Sequence, residues 1–416
     1  MVRQKQPPRL NKINQIVIAA GGAGTRLVSE GIESPKALVN IDGIPVLSRM
    51  LRLASSQKIE RATLLLHHGS NEVISFYQNV ERLNIDIDYS IESAPLGNGG
   101  CLKYAQAMLN DCFFYVYGDL IFNVDLNRMA SQHFRSQADI TLFAHPSDHP
   151  FDADLIDATE DGRVHKIHNY PHNKRPIRNL VNSAIYILSR SVVDLIPPVK
   201  SDFARDILPL AIKRGLKVMV YRSREYVKDM GTPERIQKVT EHIRQGLLEK
   251  MQIKNPIPVV YFTPETLVKK WEQDRPEFVT TNHVEKVIGA LNDCGCLCIL
   301  ALPKNYIRDA GGKNNNLLLR SIDDHLAKTS AFFDDHLEYS ATSLATGITD
   351  LHETYNFDAQ RTLAVSSSTS QQTLFQNLKI PVYLLSFISE IVKNNEHKLC
   401  PQSFFATLEA TLKRTQ

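Results

Sequence analysis

A glycine-rich segment directly after an apolar run constrains the fold of this chain more than any other feature. Residues 15–20 are mostly apolar and β-favouring, which predicts a buried parallel strand. They lead into G-G-A-G-T-R-L at residues 21–27, and P-K-A-L follows at residues 35–38. A strand that ends in a glycine-rich turn presents backbone N–H groups that can hold phosphate, and Arg26 and Lys36 add two cations nearby. The segment predicts an α/β fold with a polyphosphate or nucleoside triphosphate at the end of its first strand.

Two better-known phosphate motifs do not fit this segment. No Gly-Lys-Ser/Thr closes the glycine run, so it is not a P-loop, and the spaced third glycine of the dinucleotide fingerprint is missing. A glycine-rich turn without a ligand remains the alternative. The presence of Thr25, Arg26 and Lys36 argues against that alternative.

Length and composition bound the class of protein. A chain of 416 residues is long for a single core and favours two domains, while 43% hydrophobic and 22% charged residues are ordinary for a soluble enzyme. The formal net charge of +3 does not indicate nucleic acid as the main partner. No apolar run approaches the roughly 18–20 residues that span a bilayer, and the start of the chain is polar. We therefore expect a cytoplasmic protein without a membrane partner.

The six cysteines do not form a disulfide framework. Cys294, Cys296 and Cys298 alternate along the chain, but they lack the C-x₂-C spacing of a zinc site. We predict that they belong to a turn and a buried strand, where free cysteine packs as a small apolar residue.

The first half of the chain alternates between predicted strands and helices, which is typical of an α/β sheet with parallel strands. A second glycine-rich loop, E-S-A-P-L-G-N-G-G at residues 92–100, opens onto a predicted helix at residues 101–109. Glycines such as Gly97 at the start of a helix let a ligand approach the backbone closely. An ordinary loop is the alternative.

Two carboxylates follow strand-like segments. F-F-Y-V-Y-G-D at residues 113–119 places Asp119 at the carboxyl end of a strand, where α/β folds bind ligands. Y-V-K-D-M-G-T-P-E at residues 226–234 contains a helix cap in Thr232 and Pro233, but the cap does not account for Asp229. A turn aspartate is the alternative for Asp119.

With these motifs the chain up to about residue 245 resembles the sugar-phosphate nucleotidyltransferases, whose signature is a strand followed by G-G-x-G-T-R-L and then P-K. The resemblance implies a Rossmann-like nucleotidyltransferase domain with a mixed, mainly parallel sheet at residues 13–248, after a polar tail at residues 1–12. It also implies transfer of a nucleotidyl group from an NTP to a sugar 1-phosphate, with release of pyrophosphate and Mg²⁺ as cofactor.

The resemblance assigns roles to individual positions. Catalytic roles fall on Arg26, Lys36, Asp119 and Asp229, of which the two aspartates would hold Mg²⁺. Nucleotide-binding roles fall on Ala20, Gly21, Gly22, Gly24, Thr25, Gly97 and Gly118. Sugar-phosphate-binding roles fall on Glu92, Asn182 and Lys228. Asn182 lies in V-N-S-A-I-Y, which corresponds to the family's V-N-x-G-I-Y, and a purely structural asparagine is its alternative role.

One position departs from the family pattern. The family's sugar-phosphate lysine normally follows a D-G-R-V turn, which is present at residues 161–164, but Tyr170 stands in its place. Lys174, Arg175 and Lys228 are the candidates for the missing charge. The polar residues between His145 and Asp154 fit no standard metal-ligand spacing, and we predict a solvated loop for them.

The second half resembles haloacid-dehalogenase-like (HAD-like) phosphatases of the heptose-bisphosphate and histidinol-phosphate kind, chiefly through H-V-E-K-V-I-G-A-L-N-D-C-G at residues 283–295. That chemistry requires a D-x-D motif, whereas this chain has T-P-E at residues 263–265, and Ser366 and Ser367 replace a later G-D. We predict a second Rossmann-like, HAD-type domain at residues 249–416 that is catalytically inactive and takes part in homo-oligomerisation or regulation.

The fusion of these two types of domain suggests a manno-heptose or mannose 1-phosphate acceptor and GTP, for nucleotide-sugar supply to surface polysaccharide (lipopolysaccharide or capsule). The other bases remain open. Two alternatives are a non-catalytic nucleotide-sugar-binding regulator or scaffold, and a bifunctional nucleotidyltransferase and phosphatase.

Overall fold

The structure is a computed structural model that describes residues 12–22, 35–79, 83–172, 177–272, 275–279, 284–304, 306 and 315–384. None of the helices in these ranges combines the length and apolar character that crossing a membrane requires.

The described residues of the first part of the chain form one large mixed sheet and two small ribbons. Its strands are β1 (Gln15–Ala19), β2 (Asn40–Ile41), β3 (Ile44–Pro45), β4 (Arg61–Leu66), β5 (Asp86–Ile91), β6 (Cys112–Tyr117), β7 (Leu120–Phe122), β8 (Ile140–His145), β9 (Leu155–Ala158), β10 (Val164–His168), β11 (Val181–Ser189), β12 (Val218–Arg222) and β13 (Val227–Asp229). Nine of them form the large sheet, in the order β10-β9-β11-β6-β1-β4-β5, with β8 paired to β11 and β12 paired to β8. The ribbons are β2-β3 and β7-β13.

The centre of the large sheet is parallel. β1 lies between β4 and β6 and pairs with both in parallel, with Ala19 opposite Leu65 on one side and Tyr117 on the other. β11 runs antiparallel to β6 and β8. The predicted mixed α/β sheet is therefore confirmed, and the carboxyl ends of β1, β4 and β6 meet at one edge.

Helices flank this sheet because their sequences bury one face. In Val46–Ser56, for example, Val46, Met50 and Ala54 point into the core. The helices of the first part are Val46–Ser56, Ser70–Asn79, Gly97–Tyr104, Leu126–Ser136, Arg190–Val193, Leu208–Lys213, Pro233–Arg244 and Leu247–Lys250. As predicted, Thr232 caps Pro233–Arg244 by accepting a hydrogen bond from the Arg235 N–H.

The second part of the chain contains a separate, wholly parallel five-stranded sheet. Its strands are β14 (Ile257–Phe262), β17 (Leu297–Pro303), β18 (Asp335–Tyr339), β19 (Phe357–Val365) and β20 (Val382–Tyr383), in the order β18-β17-β14-β19-β20, and β15 (Val268–Glu272) and β16 (Arg275–Phe278) form a hairpin. Its helices are Val284–Asp293, Asn315–Ala327, Leu344–Tyr355 and Thr369–Asn377. The three cysteines at residues 294–298 are buried here, as predicted.

Ionic and polar contacts, partly or fully buried, join the two parts. The Arg178 guanidinium contacts Asp323 at 2.6 Å, and that of Arg222 contacts Asp335 at 2.8 Å. Arg224 is 3% exposed and donates to the Tyr355 carbonyl at 2.6 Å. A buried charge is costly without partners, so the arginines of the first part depend on oxygen atoms of the second part.

Candidate active site

A cleft of about 530 Å³ lies at the edge where the carboxyl ends of β1, β4 and β6 meet. It is lined by Ala19, Ala20, Gly21, Gly22, Lys36, Ala37, Leu65, His67, His68, Glu92, Pro95, Gly97, Asn98, Cys101, Tyr117, Gly118, Asp119, Lys200 and Gly231. Most of the described residues that the sequence nominated for nucleotide binding and catalysis therefore face one cleft. A larger cavity of about 790 Å³, around Gln57, Asn123 and Lys254, contains none of them.

Two glycines let the strand ends approach each other closely. Gly118 donates its N–H to the Ala19 carbonyl at 2.9 Å, and a Cβ at residue 118 would lie 2.8 Å from that oxygen. A Cβ at Gly21 would lie 2.9 Å from the His67 nitrogen. Side chains at these positions would push the strands apart, so the glycines keep the floor of the cleft narrow.

The second glycine-rich loop is clamped against residues 199–201. Gly97 has a φ of +73°, and a Cβ there would lie 2.5 Å from the Ser201 carbonyl oxygen, which also accepts the Gly99 N–H at 2.9 Å. Asn98, which replaces the family's threonine, donates to Asp202 at 3.0 Å and accepts the Phe203 N–H at 2.6 Å. The loop and the segment beside Lys200 therefore form one wall of the cleft.

Lys36 and Asp119 face each other across the opening. The Lys36 Nζ lies 2.5 Å from the Asp119 Oδ2, and both side chains are largely buried. Gly69 allows the turn that carries Lys36 to pack closely against it, because a Cβ at residue 69 would lie 2.5 Å from the Pro35 ring. The ion pair joins the P-K motif to the strand-Gly-Asp motif at the cleft.

Asp229 is brought next to Asp119 by the β7-β13 ribbon. Asp229 pairs with Leu120 in that ribbon, and the Met230 N–H donates to the Asp119 carbonyl at 3.0 Å. The Asp229 Oδ1 accepts from the Arg235 guanidinium at 2.7 Å and from the Gly231 N–H at 3.0 Å. Its Oδ2 has a longer contact, 3.7 Å, to the His149 Nε2.

The charge on Asp229 is maintained by its neighbours. Burial alone would raise the pKa of Asp229, but the His149 imidazole, the Arg235 charge and the Gly231 amide together hold that pKa well below its ordinary value. Asp229 therefore remains an anion at neutral pH. Its Oδ1 accepts two hydrogen bonds, whereas its Oδ2 has only the longer contact to His149.

The side chains of Asp119 and Asp229 are of the chemical type that binds Mg²⁺, although Asp119 is paired with Lys36 and Asp229 does not line the cleft. They provide hard oxygen donors at one edge of the sheet, and Mg²⁺ is commonly held by one or two carboxylates plus substrate phosphates. Within the described ranges, no group of three or more His, Cys, Asp or Glu side chains forms a metal cage. Phosphate oxygens and water would have to supply the other ligands.

Other nominated residues lie elsewhere. Lys228 pairs with Asp148 at 2.5 Å and lines a small cavity of about 70 Å³ rather than the cleft. Asn182 donates to the Tyr186 hydroxyl at 2.8 Å, beside an irregularity in the pairing of β11, and does not line the cleft. Glu92 lines the cleft and accepts the Leu96 N–H at 2.8 Å, and burial raises its pKa.

Several residues named by the sequence fall outside the described ranges. They are Gly24, Thr25, Arg26, Lys174 and Arg175. Tyr170, which stands where the family has a lysine, is 46% exposed. The source of the additional sugar-phosphate charge stays a prediction.

The prediction of a solvated loop near residue 148 is wrong. The Asp148 side chain is only 13% exposed and contacts Lys228, Lys238 at 2.9 Å and His149 at 2.8 Å. The sequence concealed this packing because the two lysines lie about 80 to 90 residues further along the chain. Asp148 is therefore a partly buried residue that holds two lysines and His149 together beside Asp229.

Sequence reasoning also missed cleft residues. His67, His68 and Lys200 line the cleft, and the His67 Nδ1 lies 3.1 Å from the Glu92 carbonyl. The two histidines come directly after the apolar strand β4, so the rule that predicted Asp119 applies to them as well. Lys200 lies in a loop, and nothing in its local sequence marks it.

The strand ends of the second sheet hold a closed polar network. The Glu265 Oε1 accepts from the Thr263 hydroxyl at 2.5 Å and the Ser366 hydroxyl at 2.7 Å. A carboxylate held in this way opposes the binding of a phosphate.

Fold and site together define an α/β protein with a ligand cleft at the carboxyl ends of its parallel strands. Residues 15–246 match the family described as nucleotidyl transferase, and the chain belongs to that family.

Its relatives include guanylyltransferases. Over 221 residues it is 28% identical to the mannose-1-phosphate guanylyltransferase of Mycobacterium tuberculosis, a match that spans 52% of this chain and 61% of that protein. Over 232 residues it is 28% identical to the D-glycero-alpha-D-manno-heptose 1-phosphate guanylyltransferase of Aneurinibacillus thermoaerophilus. This match spans 55% of this chain and 98% of that protein. HddC from Yersinia pseudotuberculosis, also solved in complex with GMP-PN, superimposes with a TM-score of 0.50 and 28% identity over 56% of this chain and all of that one.

Proposed function

We propose that this chain transfers a nucleotidyl group from an NTP to a sugar 1-phosphate. The observation that carries the proposal is the cleft that Gly21, Gly22, Lys36 and Asp119 line, with the backbone of Asp229 beside Asp119. The family match over residues 15–246 supports it.

In this reaction an oxygen of the sugar phosphate attacks the α-phosphorus of the NTP. The new O–P bond replaces the bond to the β-phosphate, and pyrophosphate leaves. A phosphate oxygen is already an anion, so catalysis depends on positioning and on neutralising charge rather than on a general base.

The chain's own residues would share that work. The amides of Gly21 and Gly22 line the cleft where phosphate would lie, and Lys36 would stabilise charge near the α-phosphate. Arg26 and the rest of its segment are proposed to hold the departing pyrophosphate. Mg²⁺, held by Asp119 and Asp229, would supply positive charge to the phosphates when bound.

We propose GTP and a mannose or manno-heptose 1-phosphate as the substrates. The support is that relatives of both kinds carry guanylyltransferase names. The chain spans about three fifths of the mycobacterial relative's length, so the substrate is carried over from similarity alone. We place the reaction in the cytoplasm, in nucleotide-sugar supply for surface polysaccharide.

The test is a pyrophosphate-release screen of the full chain. The common NTPs are paired with mannose 1-phosphate, manno-heptose 1-phosphate and glucose 1-phosphate, with Mg²⁺ present. We expect release to be fastest with GTP and one of the first two sugars. Absence of release with every pair would favour a nucleotide-sugar-binding regulator instead.

Single-residue variants test the metal assignment. We expect Asp119→Ala and Asp229→Ala to reduce kcat by a factor on the order of 100 or more, because the charge stabilising the transferred phosphate is lost. Asp350→Ala, at an exposed site of the second part, is the control. Near wild-type turnover in either cleft variant, with the fold intact by circular dichroism, would rule out that residue as a metal ligand.

We also propose that residues 249–416 form an inactive HAD-like domain. A parallel sheet with its first strand in the centre supports the fold, and the Glu265 network supports the loss of activity. Hydrolysis of p-nitrophenyl phosphate that disappears with Glu265→Ala would contradict this. Light scattering of the full chain tests the proposed homo-oligomer.

A further inference from the structure

A loop of the first part, residues 147–152, lies against the carboxylate of Asp229. His149 faces the Asp229 Oδ2 at 3.7 Å. Asp152 contacts the Arg235 guanidinium at 2.5 Å, and the same guanidinium donates to the Asp229 Oδ1 at 2.7 Å. The position of this loop therefore influences both oxygens of Asp229.

The second part of the chain holds the loop at its start through a buried link. The Ser147 N–H donates to the Asn179 Oδ1 at 3.0 Å, and the Asn179 Nδ2 donates to the Ser147 carbonyl at 2.7 Å. The Asn179 backbone N–H in turn donates to the Asp323 Oδ2 at 3.0 Å. All three residues are at most 6% exposed, so the bonds cannot be exchanged freely for bonds to water.

A second link runs through the helix Pro233–Arg244. The Lys238 Nζ contacts the Asp148 Oδ2 at 2.9 Å, next to His149 in the loop. The same ammonium contacts Asp293, the last residue of a helix in the second part, at 3.2 Å. Lys238 thus joins the loop to the second sheet's domain at a point separate from the Asn179 link.

We propose that the second part of the chain positions the loop 147–152, and through it Asp229, by way of Asn179 and Lys238. The inference rests on the proposed transfer function of the cleft. The proposal assigns to the second part, which we propose to be catalytically inactive, the role of positioning a residue of the neighbouring site. Asn179 and Lys238 are positioning residues, because they act on Asp229 through the loop and touch no reacting atom.

Two variants of the full chain test the proposal. Asn179→Ala removes both hydrogen bonds to Ser147, and Lys238→Met removes the charge that joins Asp148 to Asp293 while keeping the apolar stem. Lys213→Met, on the exposed side of another helix, is the charge-matched control. Lys238→Arg tests rescue by a conservative change.

Two readouts are compared. Mn²⁺ is titrated against the ligand-free chain and followed by the electron paramagnetic resonance signal of the free ion, which needs no turnover. The kcat and the KM for GTP are measured by pyrophosphate release. We expect both variants to weaken Mn²⁺ binding about threefold or more and to lower kcat about tenfold, with the KM changed less than about twofold, because small displacements of positioned groups reduce rates strongly.

The possible results are distinguishable. Mn²⁺ affinity and kcat in Lys238→Met that match those of Lys213→Met would overturn the proposal. Lys238 is partly exposed, so this variant decides the matter even where Asn179→Ala does not fold. Weaker Mn²⁺ binding in a chain that releases no pyrophosphate would support the positioning role while removing the transferase function.

Discussion

Ala184 is held in a backbone conformation that suits glycine better. Its φ is +56°, and it lies in β11 where the pairing with β8 shifts between Asn182 and Tyr186. The family pattern has glycine at this place. An alanine in the left-handed region is strained by its Cβ, whereas glycine adopts that region freely.

We therefore predict that Ala184→Gly stabilises the protein. The free energy of unfolding should rise by about 0.5–1 kcal/mol, because the strain energy relieved in the folded state exceeds the stability lost through the greater conformational entropy of the unfolded state. Urea denaturation measures the change. Ala130→Gly, in the helix Leu126–Ser136, should instead destabilise. A loss of stability in both variants would contradict the strain argument.

A buried histidine makes stability depend on pH. Burial lowers the pKa of His133 to about 4, while its ring contacts the Thr141 hydroxyl at 2.8 Å. In the unfolded chain the same group titrates near 6.5. Between these values the unfolded state binds more protons, so the contribution of His133 to stability falls as the pH falls from about 6.5 to about 4.

His133→Asn removes this titration. The loss of stability between about pH 7 and about pH 4.5 should be smaller in the variant than in wild type, as measured by urea denaturation at each pH. His165→Asn, at an exposed position, is the control and should follow wild type. Parallel pH profiles for wild type and His133→Asn would refute the assignment.

At the scale of elements, the loop at residues 97–100 combines strain with close contact. Gly97→Ala would place a Cβ at a φ of +73° and 2.5 Å from the Ser201 carbonyl, whereas Gly43 has a φ of +81° with open space around it. We predict that Gly97→Ala lowers stability by about 1–3 kcal/mol more than Gly43→Ala and also raises the KM for the NTP. Equal effects of the two variants on both quantities would show that the contact with Ser201 is unimportant.

Element prediction succeeded where local pattern determines structure. β4 and β14 are mostly apolar, six-residue segments between polar turns, and such segments favour strands by their local sequence alone. The helix predicted at 101–109 begins at Gly97 instead, because packing against residues 199–201 supports glycines that disfavour a helix by themselves. The helix Asn315–Ala327 ends before Ser330, whose φ of +58° a continuing helix does not allow.

The same division applies to the site. Its strand-end members could be placed from sequence, because parallel strands that share an edge bring their carboxyl ends together. The surroundings of Asp229 could not, because His149, which faces Asp229, and Asp152, which contacts Arg235, lie about 80 residues earlier in the chain. Lys228 shows the effect: its side chain contacts Asp148, which lies 80 residues earlier in the chain.

At the scale of the whole molecule, the two parts depend on each other. A chain ending at residue 248 would leave Arg178 and Arg222 without Asp323 and Asp335, and Arg224 without the Tyr355 carbonyl. Truncation removes all of these contacts at once, and a typical protein is stabilised by only about 5–15 kcal/mol.

We predict that residues 1–248 alone are aggregated or poorly folded. Size-exclusion chromatography and urea denaturation of the truncated chain test this. A truncated chain as stable as the full one would show that these contacts contribute little.

The arginines that join the two parts also have a consequence for the evolution of the chain. Three guanidinium groups of the first part are held by oxygen atoms of the second part, so loss of the second part by gene fission or deletion would remove their partners. Each further charge pair across the boundary would increase the stability that is lost when the two parts are separated, and so would make the fusion harder to reverse.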